Sequence, residues 1–388
     1  MTSEERQQFM SQEFRRIFGG EPAVWARAPG RVDLMGSHTD YNMGYVMTMT
    51  IDRDTWLAVR PRSDRRVALH SLDMAGSGEF SLDRIDHDPA VSWTDYVRGM
   101  ALFLEEAGHR LTGFDGLIHS TVPFASGLSS SAAIEMAAGV AFQAVGGFRI
   151  DPVQMALIGQ RAENRFVGVN CGILDQYSSA MGQAGSALLL DCRHLTSRVA
   201  GIAPGIRVVI CDTRAERKLT GSEYGERRAQ CEEGVRLLQA FYPDITALRD
   251  VSLAQFEAHA AALPEVVARR CRFIIGESQR VLDLAEALPS GEPGRLFELL
   301  STSYLGARDL YEIGAPAMSD MMAAMLSAPG VIGARQAGAG FGGYMVALVR
   351  DGTIASFIAH VEADYLRRTG IQPRVYAVSA TAGAGLVA

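Results

Sequence analysis

Apolar residues recur at helical spacing near the start of the chain, at Phe9, Met10, Phe14, Ile17 and Phe18. Thr2 and Glu5 precede them with the spacing of a capping box and Gly19-Gly20 follows, so a short amphipathic helix is predicted. From Val24 to about Leu72 the pattern turns β-like: Val24-Trp25-Ala26, Tyr45-Val46-Met47, Trp56 to Val59 and Val67-Ala68-Leu69 are separated by Gly, Asn, Pro or Asp clusters. Trp93 to Glu106 reads as a helix. A strand near Leu117 to Val122 then runs through Pro123 into a Gly/Ser loop, and a helix from Ala132 to Val145 stops at Gly146-Gly147. Asp151-Pro152 supplies a cap and an N1 proline for a helix to about Phe166. Strands are predicted near Ala187 to Leu190 and Val208 to Cys211. Beyond about Arg217 the pattern is mostly helical until Gly338-Ala339-Gly340-Phe341-Gly342-Gly343, followed by strands at Tyr344 to Val349 and Val375 to Val378 around a last helix. The change from strand-rich to helix-rich character near residue 200, with Ala203-Pro204-Gly205 beside it, divides the chain into domains 1–200 and 201–388.

Composition narrows the function. Of 388 residues 48% are hydrophobic and 21% charged, ordinary globular usage. The balance of 37 basic against 44 acidic residues, a net charge of -7, argues against a general nucleic-acid or anionic-membrane binder. Lys218 is the only lysine, and Ala215-Glu216-Arg217-Lys218-Leu219 fits neither a Walker-A loop nor a protein kinase strand, so any ATP is bound by another route. Five cysteines, Cys171, Cys192, Cys211, Cys231 and Cys271, show neither C-x-x-C nor zinc spacing and are expected as buried, reduced thiols. The N-terminus lacks an apolar h-region and no apolar run is long enough to span a membrane, so a soluble, cytoplasmic protein is expected.

Three segments carry candidate chemistry. Pro123 to Ala133 holds Ala125, Ser126, Gly127, Leu128, Ser129, Ser130 and Ser131 between a strand and a helix. Small residues let backbone approach an anion, and the helix N-terminus offers N–H groups and positive potential to it; a plain Ser-rich cap is the alternative. Arg27 to Asn42 gathers Arg31, Asp33, Ser37, His38, Thr39 and Asp40, a donor and acceptor mixture suited to a polyhydroxylated ligand because each sugar hydroxyl both donates and accepts. His38 with Asp40 as metal ligands, or a solvated turn with a structural histidine, are the alternatives there. Glu163 and Asp175 are separated by a glycine-broken loop, and each in isolation would pass for a surface carboxylate.

In that order, these segments resemble the galactokinase branch of the GHMP small-molecule kinases over essentially the whole chain. Gly30 to Asn42 is similar to the family's sugar signature, Gly127 to Ala132 to its phosphate loop, Cys171 to Gln176 to its catalytic-aspartate segment and Gly338 to Gly343 to its glycine motif. Gly221-Ser222-Glu223-Tyr224 with Arg227 to Cys231 resembles a further segment whose tyrosine meets the sugar. The resemblance implies a two-domain α+β fold, an N-terminal mixed sheet with helices and a C-terminal ferredoxin-like layered domain. It also implies ATP and Mg²⁺ as co-reactants and phosphoryl transfer to the anomeric hydroxyl of a galactose-type sugar. Asp175 would be the base, with Arg31 holding it ionised and stabilising the transferring group; Ser131 and Glu163 would meet Mg²⁺, and the loop from Ala125 to Ser131 would cover the phosphates. Ser37, His38, Thr39, Asp40 and Tyr224 fall at sugar-contact positions. The partners expected are thus a sugar and ATP, with no nucleic acid or membrane, acting on a monomer or weak homodimer.

Departures from the family pattern bear on the substrate. Ser37 stands where galactose-specific members usually carry Glu, which would contact the sugar C6 hydroxyl. Galactose with a water-mediated contact is the first expectation and galacturonate the second, with an L-arabinose kinase also implied by the missing carboxylate. Asp33 replaces a commoner Asn and Ala339 a usual Gly, the latter harmless if its φ is negative. A non-catalytic sugar sensor of this fold would lack the Ser-Ala step retained in Ser130-Ser131-Ala132-Ala133, and a mevalonate or homoserine kinase has no evident use for His38-Thr39-Asp40-Tyr41-Asn42.

Overall fold

The structure, a computed structural model, describes residues 1–124, 127–215 and 221–387. Ala125, Ser126 and Lys218 lie outside the described residues. The strands are β1 Val24–Met35, β2 Tyr45–Pro61, β3 Arg66–Ser71, β4 Ser77–Ser81, β5 Phe114–Ser120, β6 Ser186–Asp191, β7 Thr196–Gly201, β8 Ile206–Asp212, β9 Val331–Gln336, β10 Tyr344–Arg350, β11 Arg374–Val378 and β12 Gly385–Leu386. The helices are α1 Ser3–Phe18, α2 Asp95–Glu106, α3 Ser130–Gly146, α4 Pro152–Arg161, α5 Leu174–Met181, α6 Gly221–Leu238, α7 Leu253–His259, α8 Glu265–Ser290, α9 Pro293–Asp309, α10 Pro316–Leu326 and α11 Ile354–Thr369.

Two compact units emerge, and neither is continuous in sequence. The first holds residues 1–31, 50–184 and 381–388; the second holds 32–49 and 185–380. The chain crosses between them within the long strands β1 and β2, so this division differs from a single break near residue 200, which falls inside β7.

In the first unit the strand order is β12-β1-β2-β5-β3-β4, with β3 and β5 parallel and the other registered pairs antiparallel. The two-residue period of β2 serves two cores. Leu57 and Val59 join Val97, Met100, Met136, Phe142 and Ile158 of the α2, α3 and α4 side, whereas Trp56 and Ala58 face Met10 and Phe14 of α1. The α1 capping box forms as expected, and Gly19 closes the helix at φ 68°. Phe9, by contrast, faces outward. β2 is one 17-residue strand rather than two short ones. Its Asp54 is an ion-pair node instead of a turn signal: Arg6 Nη1 lies 2.5 Å from one carboxylate oxygen and Arg27 Nε 3.0 Å from the other.

In the second unit β2 pairs β6 from Tyr45↔Asp191 to Thr48↔Leu188, and β6 pairs β7. A separate antiparallel sheet has the order β11-β8-β10-β9. With helices between β8 and β9 and α11 between β10 and β11, this is the β-α-β-β-α-β ferredoxin-like arrangement, so the expected α+β class holds. β9 was hidden within the expected helical stretch; it is short and buried, a pattern that periodicity does not separate from a helix. Val209, Met345 and Ala347 pack on Met318, Met322, Phe357 and Tyr365 of α10 and α11, while α6 and α8 share a second core around Cys231, Phe273 and Tyr311.

Candidate active site

Each unit carries its own cluster of candidate residues. In the first unit, Asp175 stands in the first turn of α5, where the helix N-terminus favours negative charge. Arg31 donates to Asp175 Oδ1 from Nε at 3.0 Å and Nη2 at 2.5 Å, and its Nη1 donates to the Gly127 carbonyl at 2.7 Å. One guanidinium thus ties the end of the Gly/Ser loop to the carboxylate, with Arg31 buried and the Asp175 side chain 25% exposed. The neighbouring α3 begins without a side-chain cap: Ser129 adopts φ 60° and its buried hydroxyl has no hydrogen-bond partner among the described residues. Uncapped N–H groups and an open hydroxyl at a helix N-terminus suit an anion.

Glu163 lies in a π-turn that continues α4, and it is buried. The Ser131 hydroxyl hydrogen-bonds its carboxylate. Gln176 Nε2 donates to Glu163 Oε2 at 2.6 Å and to Glu135 Oε2 at 2.9 Å. Burial and the charge of Asp175 push the Glu163 carboxyl above its usual range, against hydrogen bonds from Ser131, Cys171 and Gln176. Glu135 is raised further, by complete burial and then by Glu163. A hydroxyl and carboxylates in this surplus form a hard-oxygen donor set of the kind Mg²⁺ prefers. Among the described residues no group of three or more His, Cys, Asp or Glu side chains is arranged to hold a metal.

The raised Glu135 makes a prediction. An acid whose folded pKa exceeds its unfolded value lowers stability as pH climbs above the unfolded value, because the folded state must bury a charge or keep a proton. Glu135→Gln mimics the protonated acid and keeps an acceptor for Gln176. Its melting temperature should exceed that of the parent by more at pH 8 than at pH 5; an advantage independent of pH would show that Glu135 does not titrate abnormally.

In the second unit the turn after β1 is held by its own side chains. Gly36 has φ 102°, and a Cβ there would meet the Tyr45 carbonyl oxygen at 2.6 Å. The Thr39 hydroxyl, fully buried, lies 2.6 Å from both the Gly36 and Tyr45 carbonyls, and Asn42 Nδ2 donates to the His38 carbonyl at 2.9 Å. His38 sits at φ 65°, a conformation that costs a non-glycine residue about 1–3 kcal/mol and persists only where its surroundings over-determine it. Its ring is 2.9 Å from Tyr41 Oη through Nδ1 and 2.9 Å from the Ala339 carbonyl through Nε2. Burial, reinforced by the charge of Arg227, pushes the imidazole down to about 4 against the Ala339 hydrogen bond. The Tyr224 ring lies 5.2 Å from that of His38. Of the expected sugar contacts, Ser37, His38 and Thr39 are buried with their side chains hydrogen-bonded within the protein, and Asp40 and Tyr224 are half-buried, the Tyr224 ring packing on His38 and Tyr41.

Ser37 joins a buried charged network. Its hydroxyl donates to Asp33 Oδ2 at 3.0 Å and accepts from Arg335 Nη2 at 3.0 Å. Arg335 Nε donates to Ser303 at 3.0 Å, and Glu277 Oε1 accepts from Ser303 at 2.6 Å, from Arg335 at 3.3 Å and from the Gly36 N–H at 3.3 Å. Burial pushes Glu277 up, but Arg280 and Arg335 outweigh it and hold the carboxyl below its usual range. Sequence reasoning missed Arg335, Glu277 and Glu135. The available signal was a lone charge within an otherwise apolar run, as in Val331-Ile332-Gly333-Ala334-Arg335 or Ala132 to Val140.

The model for the N-terminal domain of GHMP kinases matches residues 95–183, the stretch that holds α2 to α5 and the uncapped start of α3. The galactokinase galactose-binding signature matches residues 12–61. A galactokinase of Roseiflexus sp. is 42% identical over 378 residues, covering 97% of this chain and 96% of the relative. One of Chloroflexus aggregans is 43% identical over 375 residues, covering 96% and 95%. The crystal structure of Lactococcus lactis galactokinase complexed with galactose matches with a TM-score of 0.93 and 32% identity, over 98% of this chain and 99% of that one. The chain belongs to the galactokinase family. Methanococcus jannaschii mevalonate kinase, at TM-score 0.64 and 16% identity over 93% and 99% of the two chains, shares the fold.

Proposed function

We propose that the protein is a galactokinase, transferring the γ-phosphoryl group of ATP to the anomeric hydroxyl of galactose. The observation that carries this reading is the Arg31–Asp175 pair beside the phosphate-loop residues, set in a chain 42% identical to a galactokinase over nearly its full length. Asp175 accepts the proton of the sugar hydroxyl as that oxygen attacks phosphorus and the bond to the β-phosphate oxygen breaks, leaving ADP and the sugar 1-phosphate. Arg31 orients the carboxylate and offers positive charge to the transferring group. The N-terminus of α3, with Ala125 to Ser131, receives the ATP phosphates. Ser131 and Glu163 would hold Mg²⁺, which when bound neutralises charge on the phosphate oxygens. Asp40 and Tyr224, with backbone of the turn at residues 37–39, read the sugar.

The similarity to galactokinases, 42% identical over nearly the full chain, supports galactose over galacturonate. Five free cysteines, four of them buried, suit a reducing cytoplasm. No helix among the described residues is long and apolar enough to cross a membrane.

ATP consumption with Mg²⁺ and a panel of galactose, galacturonate, L-arabinose and N-acetylgalactosamine tests the reading, repeated with Ser37→Glu. Galactose should have the highest kcat/KM, and Ser37→Glu should leave that ranking intact. Preference for galacturonate or arabinose, shifted toward galactose by Ser37→Glu, would make Ser37 a specificity switch and overturn the assignment.

A further inference from the structure

The hydrogen bonds around His38 have a direction, because a carbonyl oxygen only accepts. His38 Nε2, 2.9 Å from the Ala339 carbonyl, must therefore carry a proton. In the neutral ring that this deeply buried site favours, Nδ1 is then an acceptor and Tyr41 must donate to it. The single Tyr41 hydrogen is thereby used, so at 2.7 Å Tyr311 donates to Tyr41. Tyr311 in turn accepts from the Cys231 thiol, 3.2 Å away. The Cys231 sulfur accepts from Asn42, whose amide also donates to the His38 carbonyl. The sequence of donors thus leaves His38 at its backbone and returns at its ring, and every polar side-chain atom of the imidazole is occupied.

We propose that the His38 side chain is a positioning group and not a sugar ligand: it clamps the turn of the galactose-binding signature to the glycine loop at residues 338–343 through the Ala339 carbonyl. The glycine loop needs such a tie. Gly338, Gly340, Phe341, Gly342 and Gly343 all have positive φ, whereas Ala339, at the clamped carbonyl, does not. At Gly340 a Cβ would meet the Ile313 carbonyl oxygen at 2.5 Å, so the loop also presses against the segment that carries Tyr311. Cys231, Tyr311 and Tyr41 act through His38: they fix which ring nitrogen bears the proton, and the Nε2 proton makes the clamp.

The proposal rests on the galactokinase reading only for its kinetic arm. In ¹⁵N-histidine-labelled protein, with the His38 signal identified by its loss in His38→Gln, Nε2 should be the protonated nitrogen, and adding galactose should leave that tautomer in place. A protonated Nδ1, or a tautomer change on adding galactose, would overturn it. The two amide variants separate the nitrogens. His38→Gln puts an N–H donor near the Nε2 position and should keep kcat/KM for galactose within about threefold, whereas His38→Asn reaches only the Nδ1 position and should lose about tenfold or more. Backbone amides of residues 338–343 should exchange faster with solvent in His38→Asn than in His38→Gln. The opposite ranking, or equal exchange in the two variants with both folded, would overturn the clamp. Tyr41→Phe, a milder change, should lower kcat/KM by about three- to tenfold through loss of its hydrogen bonds to His38 and Tyr311; no loss would remove Tyr41 from the chain. A protein that turned over no sugar would refute the galactokinase reading while leaving the tautomer and exchange results to judge the clamp.

Discussion

Replacing Asp175 with asparagine is expected to lower kcat by about a hundred- to ten-thousand-fold, the usual contribution of a positioned proton acceptor. Asparagine has nearly the same shape, and its Oδ1 can still accept from Arg31 Nε and Nη2, so the link from Arg31 to the Gly127 carbonyl survives. What disappears is the capacity to take up a proton. Nucleotide affinity should stay within a few-fold of the parent because the Gly/Ser loop and the α3 N-terminus are untouched, and a fluorescent ATP analogue measures it. Steady-state kinetics with galactose then isolates the chemical role: a kcat near that of the parent would remove Asp175 from the reaction.

Arg335→Met should be the most destabilising of the substitutions considered. Arg335 and Glu277 have no exposed side-chain surface, and removal of the guanidinium leaves Glu277 with Arg280 as its remaining cationic partner and Ser37 without its donor. Breaking a buried ion pair from one side costs about 3–5 kcal/mol, since the surviving charge stays desolvated. At about 2–4 °C per kcal/mol for large domains, the melting temperature should fall by ~10 °C. Glu277→Gln combined with Arg335→Met should cost less than the two single changes added together, because the second change removes the charge that the first one stranded. A melting temperature within about a degree of the parent for Arg335→Met would contradict the account of this network. In whatever fraction folds, the KM for galactose should rise more than kcat falls, because the network holds Ser37 and Gly36 rather than the reacting atoms.

Those two cases also mark what could be read in the sequence. The α1 capping box and the Asp151-Pro152 start of α4 were legible because all their hydrogen bonds are local. The segments bearing Arg31, Ser131, Glu163 and Asp175 were legible because their order and residue types form a recognisable set. β2 as a single strand was not, since the partners that make Asp54 an interior node, Arg6 and Arg27, lie 48 and 27 positions away. The same applies with more force to the Ser37–Arg335 and His38–Ala339 hydrogen bonds, which join residues 298 and 301 positions apart. A histidine beside an aspartate in a polar turn looks ligand-facing; only the fold shows that both ring nitrogens are already engaged. Glu135 was invisible for a different reason: its helix is otherwise small and apolar, and a lone acid there carries no motif.

The most direct test of the central claim is phosphorus NMR of the reaction itself. Purified protein with ATP, Mg²⁺ and galactose should yield ADP and one new phosphomonoester in equal amounts, the ester phosphorus coupled to the anomeric proton of the sugar. Release of inorganic phosphate alone, an ester at any hydroxyl other than the anomeric one, or unchanged ATP would contradict the assignment.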